Sequence, residues 1–208
     1  MKKLFLLFLL SSLISSCAPA TQIPQKEMIT VYATSATQPW LNELYACGES
    51  ASVILNVTAD EPDIYLRVGE PKNIISPMYQ IDEEEILIVA NRESVIQNLT
   101  LVEAQDLFAQ GNASTQVWVY ASGADVQIVF DQLVMKGRSV TSFAGLATSP
   151  QQMLDLINAE KDAVGILPKH WMAGNVREVF SAGTVPVLAI TKEEPQGAVK
   201  ELISCLQK

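Results

Sequence analysis

The feature that most constrains the fold is a regular alternation of short apolar runs with amphipathic segments. The runs are rich in β-branched residues and lie at 28–33, 53–57, 64–68, 86–90, 117–121, 163–167 and 185–191. Strands that alternate with helices in this way build α/β sheets, because a helical crossover returns the chain to a parallel neighbour. The sequence therefore predicts an α/β fold with mainly parallel sheets. The runs at 53–57, 64–68 and 86–90 are predicted to be buried parallel strands.

The segments between these runs carry recognisable helix signals. Thr100 and Glu103 form a capping-box pattern, and Ser149 precedes a proline that suits the first turn of a helix. Ser122 and Asp125 are predicted to cap another helix in the same manner. Helices are expected at 39–46, 102–109, 126–134, 150–157 and 196–206.

The N-terminus has the layout of a secretory leader. Lys2 and Lys3 precede an apolar run at 4–10 that fades into small residues. The run is too short for a membrane span, which needs roughly 20 apolar residues. Residues 14–17, Ile-Ser-Ser-Cys, resemble the bacterial lipobox, in which the cysteine is lipidated and becomes the new N-terminus. The interpretation is a signal peptide at 1–16, lipidation of Cys17 and a tether at 17–27; ordinary secretion, with cleavage near Ala18-Pro19-Ala20, is the alternative.

The chain has three cysteines. If Cys17 carries lipid, Cys47 and Cys205 remain as a pair in a compartment where disulfides persist. We predict a disulfide between them. Two separately buried thiols are the other interpretation.

The charge balance excludes one class of partner. Without Lys2 and Lys3, the 14 basic residues fall to 12 against 23 acidic ones, and the formal charge moves from −9 to −11. Nucleic-acid binding depends on basic side chains that neutralise phosphates, so no nucleic acid is expected as a partner. Membrane association is expected to come from the lipid rather than from a basic face.

Several phrases together resemble a known family. These are ITVYATSATQPWLNELY, ILIVAN, LTLVEAQDLFAQG, VWVYASGADVQIVFDQLV and SPQQMLDLINAEKDAVGILP. In order, they look like the phosphate-type subgroup of type II periplasmic binding proteins, in a short variant. The resemblance implies two α/β lobes that close on a small solute. It places lobe 1 at 28–90 with 178–208 and lobe 2 at 91–177.

Two polar loops are the candidate ligand contacts. Each is expected to leave a strand and enter the N-terminus of a helix, where free N–H groups and the helix dipole favour anions. The first loop holds Thr34, Ser35 and Thr37. The second holds Ser122 and Gly123, whose missing side chain permits close approach of a ligand. Simple helix capping is the other interpretation of each loop.

The chain departs from the phosphate-binding pattern at two positions. Where that pattern has an arginine before the Ser-Gly turn and a threonine after it, this chain has Trp118 and Ala124. Arg67 is the nearest cationic substitute, because a guanidinium can bind an oxyanion through two hydrogen bonds. A solvent-facing strand residue is the other interpretation of Arg67.

Catalytic and metal-binding interpretations have no motif behind them. His170 is the single histidine and has no spaced Cys/His partners, so no metal site is expected. Ser122 lies outside a G-x-S-x-G motif, and no cofactor or enzyme activity is expected.

The leading hypothesis is a membrane-anchored extracytoplasmic solute-binding lipoprotein, the receptor of an ABC-type transporter permease for a small anion such as phosphate. The alternatives are a ligand-less accessory or sensory lipoprotein and, more remotely, an exported hydrolase.

Overall fold

The computed structural model describes residues 26–72 and 75–207, whose backbone forms an eight-stranded sheet with α-helices packed on it. The leader, the predicted lipidation at Cys17 and most of the tether lie outside the described residues. The strands are β1 Met28–Ala33, β2 Ile54–Val57, β3 Ile64–Val68, β4 Met78–Asn91, β5 Gln116–Tyr120, β6 Gly145–Ala147, β7 Ala163–Pro168 and β8 Val176–Thr191. The helices are α1 Gln38–Ser50, α2 Leu101–Gln110, α3 Asp125–Phe130, α4 Pro150–Ala159 and α5 Gly197–Leu206.

The sheet order is β2-β1-β3-β8-β4-β7-β5-β6. Four of its seven neighbouring pairs are parallel, which confirms the predicted α/β fold with a mainly parallel sheet. The prediction of three buried parallel strands is wrong for two of them. β4, which contains the run at 86–90, is antiparallel to both neighbours. β2 lies at the sheet edge, with a single partner strand, and its residues are largely exposed.

β4 and β8 are the two long strands that join the halves of the molecule. They pair antiparallel from Met78 opposite Ile190 to Asn91 opposite Val176. Side chains at one end of this ladder pack into a first apolar core with α1 and α5, and those at the other end into a second core with α2, α3 and α4. On β4 the change from the first core to the second falls between Ile81 and Ile86.

Helix ends follow the local sequence signals in most places. Thr100 and Glu103 form the predicted reciprocal capping box of α2, and Ser149 accepts from the backbone of Gln152 at the start of α4. α1 is longer than predicted and runs past Gly48. The described helices include none that is long and apolar enough to cross a membrane.

The predicted disulfide is present. Cys47 on α1 and Cys205 on α5 are bonded, with their Cα atoms 5.9 Å apart. The bond joins two helices that cover the same face of the first half of the sheet. It therefore closes most of the described chain into one loop.

Candidate functional site

The first predicted loop follows β1 directly. The backbone N–H of Thr34 donates to the carbonyl of Leu66 on β3 at 3.2 Å, and a 3-10 turn at Ser35–Thr37 then leads into α1. Thr37 is fully buried, and its hydroxyl lies 3.2 Å from the carbonyl oxygens of Thr34 and Leu66. Thr37 therefore fixes the loop to β3, and the Thr34 hydroxyl can contact the second half of the molecule.

Thr34 contacts the other half of the protein through Asp125. Its hydroxyl donates to Oδ2 of Asp125 at 2.7 Å, and the backbone N–H of Val68 donates to the same oxygen at 2.9 Å. Oδ1 of Asp125 accepts from the N–H of Val126 at 2.9 Å. Asp125 is only 6% exposed. A buried carboxylate at the start of α3 is thus bonded by donors from both halves.

Two further contacts bring the halves together around this point. A Cβ atom added to Gly69, just after β3, would come within 2.4 Å of the Val129 side chain on α3, so the backbone there packs directly on the helix. Gly69 also has a positive φ of 71°, which favours glycine. On the other side, the indole N–H of Trp171 donates to the carbonyl of Ala36 at 3.1 Å. The loop that carries Thr34 is therefore held from two directions by the second half.

Arg67 is buried rather than facing solvent, with 6% of its surface exposed. It precedes Val68, whose N–H binds Asp125, and its Nε lies 3.5 Å from the Val68 carbonyl oxygen. Within the described residues, its Nη2 is buried and has no hydrogen-bond partner. A buried guanidinium with a free donor is costly, so this atom marks a place where an acceptor would stabilise the structure.

The charges of Arg67 and Asp125 act on a common neighbour. Burial raises the pKa of the Tyr65 phenol, the Arg67 charge opposes this, and the Asp125 charge adds to it. Burial also raises the pKa of Tyr120 well above its usual value, and Asp125 contributes there too. Both phenols are thus held in their neutral form; Tyr65 lies near both charges, and Tyr120 near that of Asp125.

The second predicted loop does not contact the first through Ser122 or Gly123. Both residues are exposed, and a Cβ on Gly123 would meet no atom within 4 Å. Ser122 lines a cavity of about 550 Å³ whose described lining lies between Val119 and Leu146, within the second half alone. Ligand contact by these two residues stays a prediction.

The predicted cap of α3 by Ser122 is wrong. The N-cap residue is Ala124, which follows a turn closed by its N–H bond to Ala121, so the helix begins too late for the Ser122 hydroxyl to cap it. Asp125 is the first helical residue, and its carboxylate binds the first half. The spacing of Ser122 and Asp125 could be recognised in the sequence as a helix-cap signal. Nothing in the neighbouring sequence indicated that Asp125 binds Thr34 and Val68, which are far away along the chain.

A separate polar cluster lies where β4 passes between the two cores. The side chain of Glu84 is fully buried, its Oε2 lies 3.0 Å from Nδ1 of His170, and the His170 ring packs against Trp40 of α1. Burial raises the pKa of Glu84, and contact with His170 partly opposes that shift. Beside it, Lys169 lies 2.6 Å from Glu85. Within the described part of the chain, no group of three or more His, Cys, Asp or Glu residues could hold a metal.

A two-lobed α/β molecule with two crossing strands and contacts between its halves has the fold of the type II periplasmic binding proteins. The chain is similar to a substrate-binding protein with bound phosphate from Clostridium perfringens, at 14% identity and a TM-score of 0.78 over 86% of this chain and 93% of that one. It is also similar to an ABC-type phosphate transport receptor from Vibrio cholerae, at 14% identity, a TM-score of 0.68 and the same coverage.

The same fold occurs in regulatory domains. The reduced regulatory domain of OxyR2 from Vibrio vulnificus matches at 9% identity and a TM-score of 0.67, over 88% of this chain and 95% of that one. No family model and no curated protein matches the chain. These structures are binding proteins and regulatory domains rather than enzymes.

Proposed function

We propose that this chain is an extracytoplasmic solute-binding lipoprotein that takes a small anion between its lobes and serves an ABC-type transporter permease. The observation that carries the proposal is that two donors of the first half, the Thr34 hydroxyl and the Val68 N–H, converge on one oxygen of Asp125, a buried carboxylate of the second half. A site that already accommodates a carboxylate oxygen has the donors that an oxyanion requires.

The donor set suits an anion despite the acidic composition of the protein. The Thr34 hydroxyl and the Val68 N–H are neutral donors, and Arg67 adds a buried positive charge whose Nη2 has no partner in the part of the chain that the structure describes. Salt and water screen the negative charges on the protein surface, so these charges repel a bound anion only weakly. The hydrogen bonds to the anion act at short range and are not weakened by them. Phosphate is the leading candidate because the similar structures include phosphate-binding proteins.

Export and anchoring are proposed from the two ends of the chain. The lipobox-like sequence ends at Cys17. The bond between Cys47 and Cys205 independently supports an oxidising compartment, since disulfides are rare in the cytosol. Together they favour a domain outside the cytoplasm that is held to a membrane by lipid on Cys17, with contact to a permease.

The second candidate function is a ligand-less accessory or sensory lipoprotein. It is favoured by the same contact, because Asp125 already satisfies the donors of Thr34 and Val68 without any solute. Such a protein would use its surface, rather than its cleft, to contact a membrane partner.

Calorimetric titration of the full chain, purified in detergent, with phosphate, sulfate and acetate separates the two candidates. A receptor binds one of these anions, and Arg67→Gln weakens that binding at least tenfold, because charge-assisted bonds are roughly twice as strong as neutral ones. Arg92→Gln is the matched control, since Arg92 is exposed. If no anion binds, the ligand-less candidate replaces the receptor; if both variants weaken binding equally, Arg67 is not a ligand group.

A further inference from the structure

We infer that Asp125 is an internal ligand of this protein: its carboxylate occupies the position of a free oxyanion between the lobes, and an external anion binds there only by displacing it. The inference rests on the proposed function for the identity of the site and adds a means of its regulation. It follows from the geometry around one oxygen atom.

Oδ2 of Asp125 uses both of the donors that the first lobe presents at this point. The Thr34 hydroxyl and the Val68 N–H each lie within 2.9 Å of it. Each of these donors has one hydrogen, so neither can serve a second anion at full strength while the carboxylate is present. Repulsion between two like charges in a buried site adds to this exclusion. Occupation by Asp125 and by an external anion are therefore alternatives.

Arg67 is an independent sign that the site suits more than this carboxylate. Its Nη2 is buried without a partner, and no ion pair within 4.0 Å joins Arg67 to an acidic side chain among the described residues. Asp125 thus satisfies the donors of Thr34 and Val68 but forms no ion pair with Arg67, the residue before Val68. A free anion with more oxygen atoms than Asp125 offers can engage Arg67 as well, which gives it a means of competing.

The segment that carries Asp125 has room to withdraw it. Ser122 and Gly123 directly before it are exposed, and the space around Gly123 is open. α3 itself has six residues before the backbone widens into a π-helical turn at Asp131–Met135. Val126, the next residue, is buried in the second core, so release of the carboxylate would involve the Asp125 side chain and this turn rather than the body of α3.

Chemical rescue of Asp125→Gly by formate tests the inference. The glycine variant removes the carboxylate but leaves Thr34, Val68 and Arg67 in place, so formate can take the vacated position. We expect formate at ten times its Kd to raise the Tm of the variant by roughly 3–6 °C. The wild type, and the control Asp162→Gly at an exposed turn, should respond no more to formate than to chloride at equal ionic strength.

A response of Asp125→Gly to formate that equals the wild-type response would overturn the inference. If the glycine variant does not fold, Asp125→Ala also removes the carboxylate while favouring the helix more than glycine does, and the same comparison applies. The outcome is separable from the test of function. If formate stabilises the variant but the wild type binds no anion, Asp125 is an internal ligand and the receptor function is wrong. If the wild type binds an anion but formate does not stabilise the variant, the receptor function stands and the internal ligand is wrong.

Discussion

Replacing Thr34 by valine tests how strongly the contact between the lobes stabilises the protein. Valine keeps the shape of threonine but removes the hydroxyl that donates to Asp125 at 2.7 Å. The carboxylate then keeps the bonds from Val68 and Val126 but loses one of the two donors on Oδ2.

The cost can be worked out from the burial of the acceptor. Hydrogen bonds to charged groups contribute about 1.5–3 kcal/mol, and Asp125 is too buried for water to replace the lost donor fully. We therefore expect a loss of about 2 kcal/mol. For a domain of this size, that corresponds to a fall in Tm of roughly 4–8 °C.

Urea unfolding of the wild type, Thr34→Val, Asp125→Ala and the double variant measures the coupling directly. We expect a coupling of about 1–2 kcal/mol between the two sites. Thr184→Val is the control, since Thr184 lies exposed on β8, and it should change stability by less than about 0.5 kcal/mol. A coupling near zero would refute the reasoning, because it would mean that the hydroxyl and the carboxylate do not stabilise each other.

Three other predictions concern the disulfide, the buried glutamate and the lipid anchor. Replacing Cys47 and Cys205 together by alanine should lower the free energy of unfolding by about 4–5 kcal/mol on the loop-entropy model, measured by urea unfolding against the oxidised wild type; an unchanged midpoint would contradict this. Because the pKa of Glu84 is raised from its usual 4.5, its contribution to stability is present below that value and is lost as pH rises through the raised pKa. Glu84→Gln should therefore flatten the rise in stability as the pH falls through the raised pKa toward 4.5, and parallel Tm–pH curves would argue against it. Cys17→Ala should leave the leader unprocessed by the lipoprotein route; mass spectrometry of the wild type would disprove anchoring if the mature chain begins beyond Cys17.

Local sequence signals account for the elements and several of their ends. The capping box of Thr100 and Glu103 and the start of α4 at Ser149 depend on residues within one helical turn, so they could be predicted without knowledge of the fold. The pairing of Cys47 with Cys205 could be predicted from their number and the inferred compartment. The α/β class followed from the alternation of strands and helices.

The direction of the central strands was beyond local reasoning. The run at 86–90 has the apolar, β-branched character of a buried strand in either orientation, and its antiparallel pairing with β8 depends on residues about ninety positions away. The same ladder places Ile86 in the second core. Apolar periodicity records which face is buried, but it does not record which neighbour buries it.

Some features of the candidate site could likewise be predicted from the sequence, and others depended on the tertiary structure. The sequence by itself identified the Thr34 loop and Arg67 as polar groups at the ends of strands, because residue type and position along the chain are enough for that. Only the tertiary structure decided that Asp125, rather than Ser122 or Gly123, meets Thr34, and that the backbone of Val68 completes the contact. The physical reason is that a hydrogen bond across 91 residues depends on how two lobes pack, whereas a helix cap depends on the next three residues.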